Sequence, residues 1–418
     1  MTGNAAAAEA MRQINPDVVP AFPITPQTAI MQSFATYVAN GIVDTEMIRV
    51  ESEHSAMSCA VGASAAGARV MTATSSAGLA LMWEIVGVAS GLRLPIVMEV
   101  VNRALSAPIN IHYDHSDSMG ARDLGWIQIF SESAQEVYEN TLIAIRLAEK
   151  VLLPVMVCQD GFITSHGVEN VTIQPDESIT KFIGEHKYPH ALLNLEKPVT
   201  HGPLQLQDYY FETRSQQIPA MEESFKEYLK IGDELSKITG NKYELFDKIQ
   251  VDDADAVIVV MSSTAGTTKT AIERLRKEGK KVGLLKLRMF RPFPYKEVAE
   301  ALKDIKKIAV LDRSVSFGAN PPLYSEVKNA LFDVKYSGEL KSCVFGLGGR
   351  NIFIEDIEKR LDKYRNASLK ISVLKSAREN KEDVKKHAEE MIKQLGSKYT
   401  YKILGFSIFL RKWRKARE

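Results

Sequence analysis

The stretch ARVMTATSSAGLALMWEIVGVASGLRLPIVMEVVNR, Ala68 to Arg103, decides the fold. Two short apolar runs, ARVMTAT and LPIVMEVVN, flank a longer segment of small and apolar residues, SSAGLALMWEIVGVASG. Strands joined through a helix-length crossover pair in parallel, and parallel strands need helices on both faces of their sheet. Working outward, DVVPAF and EMIRVE before this unit and LPVMVCQD after it read as further strands. PQTAIMQSFATYVANG, SEHSAMSCAVGASAAG and SAQEVYENTLIAIRLAEKV read as helices between them. The Ala-, Gly- and Ser-rich helices allow close approach and read as a tightly packed layer suited to a subunit contact.

From about Thr164 to Val251 the alternation stops, and HKYPHALLNLEKPVTHGPLQLQDYYFETR leads into one charged helix from about Ala220. Such a segment reads as an extended connector wrapped over a partner surface. A second alternating block follows, with strands DAVIVVMSS, KVGLLKLRM, KKIAVLDRS and KSCVFGLGG separated by helices GTTKTAIERLRKEG, YKEVAEALKD and PLYSEVKNALFD. The expected organisation is an α/β domain over 1–170, a connector and helix over 171–252, a smaller α/β domain over 253–365, and a charged helical tail over 366–418. The tail ends in YKILGFSIFLRKWRKARE, basic and amphipathic. It reads as a solvated or loosely docked helix, with weak contact to an anionic membrane surface or an acidic partner as the alternative.

At 418 residues the chain is long enough for more than one core. Its 53 basic and 52 acidic residues nearly cancel, so no overall field recruits nucleic acid. Cys59, Cys158 and Cys343 are too dispersed to supply a zinc or iron-sulfur site from this chain. The opening MTGNAAAAEAMRQ lacks the basic region and apolar core of a signal peptide, and no run reaches the length of a membrane span, so a cytoplasmic location is expected.

Ligands of an open parallel sheet bind beyond the carboxyl ends of its strands. Thr25 follows VVPAF, Glu53 follows IRVES, Thr74, Ser75 and Ser76 end ARVMTATSS, and Arg103 follows IVMEVVN, so all are expected on one rim. Pro23 and Pro26 restrict the backbone on either side of Thr25 and would present it in a fixed geometry. Thr25, Ser75 and Ser76 equally suit helix N-caps, Glu53 suits a helix N-terminus, and Arg103 closing an apolar strand suits either an internal ion pair or a bound anion. HYDHSD, His112 to Asp117, holds imidazoles and carboxylates in an irregular loop without an established metal spacing. STAGTTKT, Ser263 to Thr270, imitates the end of a phosphate loop but has Met261 where the first glycine belongs, and reads as a strand-to-helix turn.

AFPITPQT, ESEHSA, NRALSAPINI, DHSD and QDGFITSH, then LRMFRPFP and VLDRS in the second block, occur in the order found in the α subunits of 2-oxoacid:ferredoxin oxidoreductases. Over about residues 1–365 the sequence resembles that family, most closely its pyruvate enzymes. The resemblance implies a thiamine diphosphate-binding, pyrimidine-type parallel-sheet domain followed by a smaller transketolase C-terminal-like α/β domain. It implies that Thr25 and Arg103 hold the 2-oxoacid carboxylate and that Glu53, with Glu51 as a nearby rival, bonds N1′ of the coenzyme's aminopyrimidine. Phe22 stands where many members have tyrosine.

The implied reaction is reversible, coenzyme A-dependent oxidative decarboxylation of pyruvate to acetyl-CoA with ferredoxin as acceptor. The same chemistry on 2-oxoisovalerate, 2-oxoglutarate or oxalate, and a non-catalytic scaffold, are the alternatives. Asp160-Gly161 lacks the glycine that begins the family's G-D-G diphosphate motif. Mg²⁺, the diphosphate contacts and a 4Fe–4S cluster are therefore expected on a β subunit, with γ- and δ-type subunits and ferredoxin completing the system.

Overall fold

The two alternating blocks pair into two sheets. A computed structural model describes residues 1–359; the expected tail from 366 lies outside the described residues. The first block runs α1 (Gly3–Ile14), β1 (Val18–Ala21), α2 (Thr28–Ala39), β2 (Glu46–Arg49), α3 (Glu53–Ala66), β3 (Val70–Thr74), α4 (Ser76–Leu81), α5 (Trp83–Gly91), β4 (Ile96–Asn102), α6 (Ser116–Gly120), β5 (Ile127–Ser131), α7 (Ala134–Val151) and β6 (Val155–Asp160). Then come α8 (Asp176–Ile183), α9 (Tyr210–Ser215) and α10 (Gln217–Thr239). The second block is β7 (Phe246–Ile249), β8 (Ala256–Met261), α11 (Thr264–Lys277), β9 (Val282–Leu287), β10 (Met289–Arg291), α12 (Tyr295–Leu302), β11 (Lys307–Asp312), α13 (Pro322–Asp333) and β12 (Glu339–Val344).

The larger sheet has the order β10-β5-β6-β4-β3-β1-β2 and is parallel except for β10, which pairs antiparallel to β5. The smaller sheet, β12-β11-β8-β9-β7, is parallel except for its edge strand β7. The run KVGLLKLRM, expected as one strand, divides: β9 belongs to the smaller sheet and β10 crosses to close the edge of the larger one. The single expected helix after β3 breaks at Met82 into α4 and α5. Helix α1, which sequence reading left without structure, buries Ala6, Ala7, Ala8, Ala10 and Met11 completely. Its alanines let it pack closely against α7, and Thr2 caps it by accepting from Ala5 N at 3.2 Å.

One core lies under α1, α2, α7 and α10, where Tyr228, Ile231 and Leu235 of α10 join Met11, Phe34 and Leu142. Another packs Ala265 and Ile272 of α11 against Ile258 and Leu284, and a third runs continuously from Met57, Leu79, Phe130 and Phe290 of the larger sheet and its helices to Val257, Leu285 and Val310 of the smaller one. A buried ion network reinforces this join. Lys286 on β9, 1% exposed, meets Glu132 at 2.9 Å, Asp247 of β7 at 2.8 Å, and Glu136 in the first turn of α7. Arg288 reaches Glu136 at 3.1 Å and Asp247 at 3.0 Å, and Lys269 of α11 reaches Glu132 at 2.7 Å. Burial alone would raise the Glu136 carboxyl, but Arg288 and Lys286 outweigh it and hold it down at about 2.

Strand β4, at the middle of the larger sheet, is buried along its whole length and carries Glu99. Thr141 Oγ1 lies 2.7 Å from both Glu99 Oε1 and Val137 O. The hydroxyl has one proton and the carbonyl only accepts, so both contacts are bonds when Glu99 keeps its own proton. Burial pushes this carboxyl up to about 8, against the opposing Thr141 bond. A raised acid favours the fold fully below its ordinary value of 4.5, and that contribution is lost as pH rises to about 8. Glu99→Gln keeps the shape and can donate to Thr141. It is expected to gain about 1.4 kcal/mol per pH unit over wild type across that window. Denaturant unfolding of both proteins at pH 5 and pH 8 checks this; a difference that does not change with pH contradicts it.

Candidate active site

The carboxyl ends of β1, β3, β4 and β6 form one rim of the larger sheet, and the sequence-predicted residues sit on it. After β1 the chain turns through Thr25 to enter α2 at Thr28, with Gln27 rather than Thr25 at the N-cap position. Thr25 is therefore not a helix cap; it is exposed at the rim. The turn is held by buried amides: Asn4 Nδ2 donates to Pro26 O at 2.9 Å, and Gln27 Nε2 donates to Ala73 O at 3.0 Å. On its other side Pro26 leans on Gly161, where an added Cβ would come within 2.7 Å of the Pro26 ring.

Arg103, 8% exposed, leaves the end of β4 and donates from Nη1 to Thr25 O at 2.9 Å and from Nε to Asn110 O at 3.0 Å. Among the described residues no carboxylate pairs with its guanidinium, so the internal ion pair open to it in the sequence does not form. The rest of its donor fork has no partner among the described residues, a geometry that can take an anion.

Ser75 and Ser76, expected as capping side chains, bond elsewhere. Ser75 Oγ donates to Val101 O, and Ser76 Oγ donates to Ala104 O at 2.7 Å, stitching the start of α4 to the end of β4. The capping is done by Asp117 of α6, whose Oδ2 accepts from Ser76 N at 3.0 Å and from Arg103 N at 2.9 Å. Its Oδ1 accepts from Asn102 Nδ2 and Ser118 N, each at 2.8 Å. Burial raises the Asp117 carboxyl to about 6 against these bonds.

Glu53 and Glu51 part company. Glu51 is exposed and accepts from Ser55 Oγ. Glu53 opens α3 behind the Ser52 cap and is 7% exposed. It has no hydrogen-bond donor or cation among the described residues. Its carboxylate faces Gly78 of α4: a Cβ there would lie 2.7 Å from Glu53 Oε1 and 2.5 Å from Thr74 Oγ1. Thr74 Oγ1 is itself buried without a partner. Gly78 is packed so closely against both that no side chain fits there. A nearly buried carboxylate beside a buried hydroxyl, both without partners among the described residues, is the chemistry that a ring presenting an N–H, such as an aminopyrimidine, would satisfy.

Of the HYDHSD segment only Ser116 and Asp117 are helical, α6 beginning at Ser116. His115 Nε2 and Asp160 Oδ1 lie 2.9 Å apart, while Asp160 Oδ2 accepts from Ser263 Oγ at 2.5 Å. Burial works to raise Asp160, but His115 and Arg313 hold it well below the usual carboxylate range. Among the described residues no three His, Cys, Asp or Glu side chains gather to hold a metal ion. Ser263 to Thr270 lies at the passage from β8 into α11, as its spacing predicts.

A parallel sheet covered on both faces with a second, smaller sheet after it is the architecture the chain shares with the thiamine diphosphate-binding, transketolase-like class of folds, as its likeness to a family model and to two solved structures shows. The chain belongs to the pyruvate flavodoxin/ferredoxin oxidoreductase family, whose thiamine diphosphate-binding model matches residues 9–231 and whose core domain II model matches 254–357. It is 57% identical to the pyruvate synthase subunit PorA of Thermotoga maritima, over 88% of this chain and 95% of that one. It is 49% identical to the PorA of Methanocaldococcus jannaschii over 88% and 95%, and 45% identical to the ketoisovalerate oxidoreductase subunit VorA of Pyrococcus abyssi over 86% and 91%. Two solved structures share the fold. The 2-oxoglutarate:ferredoxin oxidoreductase of Magnetococcus marinus has a TM-score of 0.63 at 22% identity over 87% of this chain and 64% of that one. A split gene transketolase has a TM-score of 0.55 at 13% identity over 87% and 98%.

Proposed function

We propose that this chain is the subunit of a pyruvate:ferredoxin oxidoreductase that grips the pyrimidine of thiamine diphosphate through Glu53 and the carboxylate of pyruvate through Arg103 and Thr25. The observation that carries the reading is Arg103. It is a nearly buried cation on the rim with no carboxylate among the described residues, bonded to the backbone of Thr25 so that its free donors and the Thr25 hydroxyl serve one anion. When bound, the coenzyme supplies the carbon that adds to the oxoacid's ketone and accepts the electron pair left by departing carbon dioxide. Glu53 accepts an N–H of the pyrimidine ring and so keeps a proton at that atom. Arg103 and Thr25 hold the carboxylate in place for its loss.

The reading extends to the assembly. Mg²⁺, the diphosphate grip and the 4Fe–4S cluster belong to a β subunit; γ- and δ-type subunits serve coenzyme A and ferredoxin, in the cytoplasm. The irregular span between α8 and α9, where Leu193, Leu195 and Leu204 are 75%, 89% and 89% exposed, supports a partner-covered surface. Among the described residues no helix is long and apolar enough to cross a membrane.

The test is reduction of a low-potential dye by the assembled enzyme with coenzyme A and a panel of 2-oxoacids. Pyruvate is expected to have the highest kcat/KM. Preference for 2-oxoisovalerate would move the chain to the ketoisovalerate group, and no reduction with any oxoacid would leave the scaffold reading. In the same assay Arg103→Ala is expected to raise KM for pyruvate about a hundredfold, the loss of one to two charge-assisted hydrogen bonds. An unchanged KM would make the arginine a structural group only.

A further inference from the structure

The reading above leaves open how the two grips stay in register, since Glu53 lies at the start of α3 and Arg103 at the end of β4. The structure assigns this task to Asp117: we propose that it is a positioning residue that ties the substrate arm and the coenzyme arm of the site to one carboxylate oxygen. Oδ2 receives the backbone N–H of Arg103 at 2.9 Å and that of Ser76 at 3.0 Å. The first bond fixes where the Arg103 side chain leaves the strand. The second fixes the start of α4, two residues before Gly78, against which the Glu53 carboxylate rests. The proposal rests on the roles given above to Arg103 and Glu53.

The rest of the carboxylate is fully committed to holding Oδ2 where it is. Oδ1 takes Asn102 Nδ2 and Ser118 N, and Asp117 is only 3% exposed. Its neighbour His115 anchors α6 from the other side, through Asp160 and through a bond from His115 N to Arg313 O at 2.9 Å. Asp117 therefore sits on a fixed support and cannot follow either arm separately. An amide in its place keeps the shape but turns one pair of acceptor sites into N–H groups, so two of the four donors meet a donor.

The experiment uses the enzyme assembled with its partner subunits and compares wild type, Asp117→Asn and Arg103→Ala. Hydrogen exchange by mass spectrometry follows the peptides that contain Ser76 and Arg103; calorimetry gives the Kd of thiamine diphosphate, and dye reduction gives kcat and KM. In Asp117→Asn, exchange is expected to rise at least tenfold in both peptides together. The KM for pyruvate and the coenzyme Kd should each rise about tenfold, with a smaller change in kcat. Faster exchange in neither or only one peptide, or KM and Kd both within twofold of wild type, overturns the proposal.

An unchanged KM in Arg103→Ala overturns the reading of the site beneath it. A raised KM there with an unchanged one in Asp117→Asn overturns the positioning role alone. Should Asp117→Asn fail to assemble, wild type carries the test. Coenzyme added alone is expected to slow exchange in the Arg103 peptide as well as the Ser76 peptide, and slowing confined to the latter overturns the shared anchor.

Discussion

Glu53→Gln is expected to lower kcat by about a hundredfold to ten-thousandfold, the range associated with losing a positioned proton-holding group. The substitution preserves volume and leaves the Ser52 cap of α3 intact, so fold and assembly should survive. What changes is the acceptor: an amide oxygen is a weaker partner for a ring N–H than a carboxylate and cannot stabilise an added proton there. The coenzyme Kd, measured by calorimetry on the assembled enzyme, should weaken as well, because Glu53 has no other donor among the described residues. Glu51→Gln is the control. Glu51 is exposed and bonded to Ser55, and its loss should leave turnover within twofold. Turnover unchanged in Glu53→Gln would sink the catalytic reading and favour the scaffold.

The second large effect concerns the seam between the sheets. Lys286→Met removes the cation that meets three carboxylates, those of Glu132, Glu136 and Asp247. Arg288 and Lys269 remain, so the network is left one positive charge short in a site where Lys286 was 1% exposed. Breaking a buried ion pair from one side destabilises by about 3–5 kcal/mol. The sign with pH follows from Glu136, whose carboxyl is held down at about 2. Its contribution is present above the ordinary carboxylate range and fades as pH falls toward 2. The difference between wild type and Lys286→Met should accordingly be largest near neutrality and shrink in acid. Denaturant unfolding at pH 7 and pH 4 reads this, and a loss below 1 kcal/mol at neutrality would show that the network contributes little.

The sequence disclosed β1, β2, β3, β4, β6, β8, β9, β11 and β12, most plainly where the run is nearly continuous and apolar, as in β3, β4, β6, β8 and β11. Strand β5 escaped because Gln128 and Ser131 interrupt its run. Both are buried, and Gln128 Nε2 donates to Ser118 O at 2.8 Å, a tertiary bond that no local pattern reveals. Helix α1 escaped although its signal is local: a run of alanines, the strongest helix former, behind a Thr2 cap. Edge strand β7, with Asp247 and Lys248 side by side at its centre, resembles a loop until β9 pairs with it.

At the rim, the rule that ligands gather beyond strand ends was enough to place Thr25, Glu53, Thr74 and Arg103 together. It was not enough to choose between capping and binding, because a serine before a helix looks the same whether its hydroxyl turns inward or to a neighbouring strand. Asp117 was hidden for another reason. It sits in a segment that imitates a metal site, and its meaning depends on Ser76, 41 positions away, and Arg103, 14 away. Gln27 likewise shows its purpose only through the carbonyl of Ala73.

Strand β10 carries an implication for how such chains recombine. It lies within the segment matched by the second family model, yet it pairs through Met289 with Ile129 and through Arg291 with Gln128 of the first. Cutting the polypeptide between the two matched segments would strip the outer strand from the larger sheet and bare a row of amides and carbonyls along β5, an invitation to self-association. The halves are therefore poor candidates for exchange as free-standing cassettes. A graft between relatives should carry both segments together, so that the larger sheet arrives with its own border and β8 keeps its pairing with β11.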